Sequence, residues 1–125
     1  MQLDLLICSL PPSYLNEPSL APALLKSAVE KHGFSCRTVD FSLQCFKSLF
    51  NNDYQRWLAW SNTLPDHIDY NSVNDEHKLL LEQAVDQFVD MVNQINPQYL
   101  ALSVFSMWQQ RFAYHVCKKI KTNGL

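Results

Sequence analysis

Pro11, Pro12 and Tyr14 follow directly on one apolar run of the chain, and Ser103, Phe105, Ser106 and Trp108 end or follow a second one. Proline offers a stiff face without an N–H, aromatic rings give broad apolar contact, and serine hydroxyls exchange hydrogen bonds at a rim. If the two runs end side by side, these residues form a donor-poor ledge suited to a broad flat ligand with polar edges. The plainer alternative is that both loops only close the core.

Other chemistries fail on residue type. A dinucleotide fingerprint or phosphate-binding loop needs glycines after the first strand, so that backbone N–H groups approach phosphate; here two prolines fill that turn. Gly33 and Gly124 are the only glycines in the chain. The acidic cluster of a receiver domain has no counterpart in Cys8, Ser9 and Leu10, and a Ser/Thr-rich flavin loop is missing. No serine has a nucleophile-elbow context. The histidines, His32, His67, His77 and His115, have no metal-ligand spacing and read as surface or loop residues. Asp66, His67 and Asp69 form a dense polar group that turn formation explains equally well. Cys8, Cys36, Cys45 and Cys117 contain no C-x-x-C pair, so buried reduced thiols are expected rather than disulfides or a metal site. No residue is assigned a catalytic or metal-ligating role.

The elements that would position the ledge follow from periodicity. Residues 3–10 are nearly continuously apolar, as in a central strand buried on both faces, and Pro11 and Pro12 stop it. A helix follows, with Ser19 as cap, Pro22 in the first turn and an expected apolar face of Leu20, Leu24, Leu25, Ala28 and Val29, down to Gly33. Residues 34–41 alternate as an edge strand. Residues 42–75 form a helical insertion, one helix or a pair broken near Asn51, Asn52 and Asp53, then a loop. This insertion is read as a cover over the sheet end by Trp57 and Trp60, with a lid over a ligand as the sharper alternative. Residues 76–95 are strongly helical and end before Pro97, and residues 99–105 give a third strand. A last helix over 109–121 is expected to bury Phe112, Ala113, Val116, Cys117 and Ile120.

This order predicts an α/β fold of Rossmann-like, flavodoxin-like type: a three-layer parallel sheet with the first strand between the second and third. At 125 residues, 47% hydrophobic and 18% charged, the chain is one globular domain, residues 1–125. A net charge of −2 and a pI near 6.0 leave no basic footprint for nucleic acid. No run reaches the length of a membrane span, and no signal peptide opens the chain, so a cytoplasmic protein is expected. Asn123 and Gly124 look like a helix cap and Leu125 like the start of a fourth strand, so the domain is expected to be incomplete at its C-terminus.

Four stretches together resemble a known family: LLICSLPP at 5–12, PSLAPALLKSAVEKHG at 18–33, RTVDF at 37–41 and NPQYLALSVFS at 96–106. They are similar to the N-terminal cobalamin-binding domain of radical S-adenosylmethionine enzymes. In that family a strand ends in a proline pair, a helix reaches a His-Gly turn, and a second strand ends in Asp. The resemblance does not cover residues 42–75. It implies that Pro11, Pro12 and Ser13, together with Ser103, Phe105 and Ser106, lie against the corrin. The Asp-x-His-x-x-Gly motif that supplies a lower cobalt ligand is missing, since no histidine stands three residues before either glycine. The C-x-x-x-C-x-x-C motif is also missing, so S-adenosylmethionine and a 4Fe-4S cluster belong only to a full-length parent, a methyltransferase or related enzyme. The expectation is a truncated, non-catalytic module that binds cobalamin weakly by itself, with the rest of the parent or another copy of the chain as protein partner. The alternative is a cofactor-free α/β interaction domain that pairs through an exposed sheet edge.

Overall fold

The computed structural model describes residues 1–12, 15, 20–65, 69–104 and 106–123. Strand β1 (Leu5–Ser9) is the middle of a three-stranded sheet, paired in parallel with β2 (Cys36–Asp40) on one side and β3 (Tyr99–Ser103) on the other. The order β2-β1-β3 is the expected α/β arrangement. Apolar side chains on both faces are what fixes β1 at the centre: Leu6, Cys8 and Leu10 turn to one face, and Ile7, equally buried, to the other.

Helix α1 (Leu20–Lys31) connects β1 to β2. The position expected for its cap, Ser19, lies outside the described residues. Gly33 ends the segment at φ +85, a conformation that costs glycine little, and its N–H bonds Glu30 O at 3.0 Å. Asp4 then staples the two strand starts: Ser35 N–H donates to Asp4 Oδ2 at 2.7 Å, and Asp4 N–H donates to Ser35 Oγ at 2.9 Å.

The second strand is shorter than its alternation suggests. Asp40 accepts from Leu43 N–H at 3.1 Å and so starts α2 (Phe41–Leu49) immediately, which turns Phe41 from a strand residue into the first residue of a helix. Asn51 and Asn52 both take positive φ, and Asp53 caps α3 (Tyr54–Ser61), so the insertion is the pair of helices anticipated from that Asn-Asn-Asp break. A short 3-10 turn at Tyr70–Ser72 follows, with Asp69 as its cap. Asn74 caps α4 (Asp75–Ile95), and Asn96 in the left-handed region closes it before Pro97. Helix α5 (Met107–Thr122) follows β3.

The three layers are unequal. Leu6, Cys8 and Leu10 meet side chains of α2, α3, α4 and α5 in one continuous core, whose centre is the aromatic set Phe41, Phe88 and Phe112. Trp57 and Trp60 belong to that core, at 3% and 0% exposure, packed on each other and on Phe50. They are structural cover rather than a lid. Among the described helices, the other face of the sheet has only α1.

Two expectations of burial are corrected. On α1, Pro22 is buried and Lys26 and Val29 are half-buried, whereas Leu20, Leu24, Leu25 and Ala28 are exposed; the helix turns a different stripe to the sheet from the one its leucines mark. On α5, Cys117 is exposed and Gln109 and Arg111 are buried. Arg111 is accommodated because its Nη1 donates to Thr63 O at 2.7 Å and its guanidinium lies 5.4 Å from the Tyr70 ring centroid, tying α5 to the end of the insertion.

Candidate functional site

In the β2-β1-β3 order, the connection from β1 runs outward to one side and the chain re-enters on the other. The carboxyl ends of β1 and β3 therefore flank a topological switch point, the place where open α/β sheets take ligands. Ser9 stands opposite Ser103 in register, so the loops after both strands leave the sheet at the same level. On the β1 side come Leu10, buried, then Pro11, buried, and Pro12, half-buried, joined by a cis peptide bond. On the β3 side come Val104, at 38% exposure, and Ser106, half-buried at the N-cap position of α5. Ser13, Tyr14 and Phe105, three of the residues singled out from the sequence, lie outside the described residues.

The ledge is held from below. Gln109, fully buried in the first turn of α5, donates from Nε2 to Leu10 O at 2.9 Å, so the end of β1 is tied to the helix that follows β3. Sequence reasoning missed this residue, because a glutamine on a helix face looks like a solvent position unless its partner 99 residues away is known. Gln109→Met, which keeps the volume and removes the donor, is expected to cost about 1–3 kcal/mol by leaving the Leu10 carbonyl short of a partner. Urea unfolding of the variant checks this, and an unchanged midpoint would remove Gln109 as the tie.

Ser106 makes no side-chain cap bond to its own helix, so its hydroxyl is free of the usual N-cap duty. Met107 and Trp108, 46% and 42% exposed, continue the apolar surface outward. Asp40, at the neighbouring carboxyl end of β2, is engaged as the cap of α2. The described part of the ledge is uncharged: serine hydroxyls, proline faces, a thioether and an indole. Such a set can pack and orient a large neutral ring system and hydrogen-bond its rim. It offers no general acid, base or nucleophile.

Among the described residues, no group of three or more His, Cys, Asp or Glu is arranged to hold a metal ion. Cys8 does not provide a thiolate, since burial pushes its thiol up to about 12, against a smaller opposing pull from Arg37.

A groove of about 880 Å³ lies away from the ledge, beside β2 and between α2 and the C-terminal end of α4. Leu3, Arg37, Val39, Gln44, Met91 and Gln94 contribute to its walls, and no motif in the sequence pointed to it. No helix among the described residues is long and apolar enough to cross a membrane. Comparison with protein families, with curated proteins and with solved structures finds no match to this chain.

Proposed function

We propose that this chain is a cobalamin-binding module of the kind that precedes the catalytic domain in radical S-adenosylmethionine enzymes. The observation that carries the proposal is the parallel pairing of β1 and β3 with Ser9 opposite Ser103, which brings a proline-stiffened loop and a serine-bearing loop to one switch point. The resemblance of residues 5–12, 18–33, 37–41 and 96–106 supports the same reading. Cobalamin, when bound, supplies cobalt–carbon bond chemistry. The chain's own part is to hold and orient: Pro12 against the ring face with the buried Pro11 stiffening the loop behind it, Ser103 and Ser106 at the rim, and Trp108 excluding water from one side. S-adenosylmethionine cleavage and the iron–sulfur cluster belong, in this reading, to a longer parent.

Titration with hydroxocobalamin, followed in the visible spectrum, tests the proposal. A saturable spectral shift is expected. Ser106→Trp is expected to weaken binding about tenfold or more by filling the rim, while leaving the thermal transition in place, because Ser106 is only half-buried. Unchanged affinity in this variant would move the site elsewhere.

A second reading, a cofactor-free domain that pairs through a sheet edge, has one observation in its favour. Among the described residues β3 is paired only with β1, and its sequence, YLALS, has no charge or proline to protect the outer edge. Titration without any spectral change would favour this reading.

A further inference from the structure

The groove beside β2 contains a cation that the fold does not use. Arg37 stands opposite Leu6 in register, and Leu6 belongs to the core, so Arg37 lies on the inner face of the sheet, on an edge strand, where it lines the groove. Among the described residues it has no ion pair and no hydrogen bond, and it is the only charged side chain in the lining. An inward charge on an edge strand discourages edge pairing, which would account for Arg37 alone. It does not account for the groups around it.

Those groups are of three kinds. Leu3, Val39 and Met91, each half-buried, form an apolar wall. Gln44 on α2 and Gln94 on α4 supply neutral amides, each both donor and acceptor. The last turn of α4 adds bare acceptors. Pro97 has no N–H, and the N–H groups of Gln98 and Tyr99 donate to Leu3 O at 2.8 Å and Asp4 O at 2.9 Å. The carbonyls of Gln94 and Ile95, both groove residues, therefore accept from none of the N–H groups that would have continued the helix.

Charge and shape together narrow what fits. A single guanidinium fork matches the two oxygens of a carboxylate. The negative end of the α4 dipole lies at the same groove and penalises a second negative charge, which places a monocarboxylate ahead of a phosphate dianion. Free carbonyls and glutamine amides match the N–H and C=O of a peptide unit, and the apolar wall matches an aliphatic side chain next to the carboxylate. The volume, about 880 Å³, falls within the ~300–1,000 Å³ of small-ligand sites.

We propose that this groove binds the carboxyl-terminal end of a short peptide whose last residue is apolar. The carboxylate lies on Arg37, the last side chain on Leu3, Val39 and Met91, and the last amide N–H on the free carbonyls of α4. The proposal does not rest on the cobalamin reading, since the groove lies away from the ledge.

An NMR titration of the isotope-labelled chain with N-acetyl-Ala-Ala-Leu, its carboxylate free, tests this. Saturable shifts centred on Arg37, Val39, Gln44 and Gln94 are expected, with a dissociation constant of about 1 mM or tighter. The same peptide as its carboxamide is expected to bind at least about tenfold more weakly, and so is the free acid to Arg37→Gln. Arg37 is exposed, so that variant keeps its thermal transition. Arg37→Lys, which keeps the charge and loses the fork, falls between the two. Equal affinity for acid and carboxamide, or no saturation by about 10 mM, overturns the proposal. Inorganic phosphate that competes as well as the peptide overturns the choice of ligand and the proposal with it. An Arg37→Gln chain that binds the peptide normally but self-associates also overturns it, and leaves Arg37 as a guard of the sheet edge.

Discussion

Phe41→Ala is expected to cost about 3–5 kcal/mol, the range for deleting a fully buried phenylalanine side chain. Phe41 has no exposed surface, its ring lies edge-on to Phe88 at 5.0 Å and tilted against Phe112 at 6.0 Å, and it follows the residue that caps α2. Removing it opens the point where α2, α4 and α5 meet the sheet, and neighbours anchored by three helices relax only partly into the space. A domain of this size has about 5–15 kcal/mol in total, so the variant would keep a small part of its stability or none. Urea unfolding followed by fluorescence of Trp57 and Trp60 should show the midpoint lowered by about 2 M or the transition lost. Phe34→Ala is the control: at 57% exposure the change should stay within about 0.5 kcal/mol. Equal effects at the two positions would refute this account of the core.

Phe41 also shows where pattern ends and context begins. The alternation of Phe34, Cys36, Val39 and Phe41 correctly announced a strand, but nothing in that period says that Asp40 will spend its carboxylate on Leu43 N–H and start a helix one residue later. The central position of β1 and the length of α4 were legible because both rest on long, strong patterns: a two-sided apolar run, and twenty-one residues of amphipathic period closed by Asn96 before a proline. Helix α1 was legible as a helix and not in its orientation. Leucine and alanine occupy several of its sides, so the apolar stripe does not choose a face, and the sheet selected Pro22 and Val29 instead.

The candidate site was legible only as two loops. That Pro11 and Ser106 belong to one end of the sheet depends on β1 and β3 being neighbours, which follows from the crossover grammar of the fold and could be anticipated. The hydrogen bond that fixes their separation could not: Gln109 and Leu10 are far apart in the chain, and neither residue type announces a partner. Arg111 is similar, a charge placed in the interior because Thr63 and Tyr70 happen to converge on it. Buried polar groups are satisfied by three-dimensional accidents of packing that leave no local period, so sequence places them on the surface by default.

The thiols give the second large effect, and its sign follows from burial. Cys8 and Cys45 are fully buried, and burial pushes both up to about 12, from 9.0 in an unfolded chain. The folded state thus holds these protons more tightly than the unfolded one. Their contribution is fully present below about pH 9 and is lost as pH rises from there toward 12, by up to about 1.4 kcal/mol per pH unit for each thiol while the unfolded chain ionises and the folded one does not. Between pH 9 and 10.5 the wild type should therefore lose stability more steeply than a Cys8→Ala/Cys45→Ala variant, whatever the variant's lower starting value; parallel slopes would show that the two thiols do not titrate on unfolding. Alkylation provides an independent view, with Cys117, exposed on α5, modified in the native protein and Cys8 and Cys45 only on unfolding.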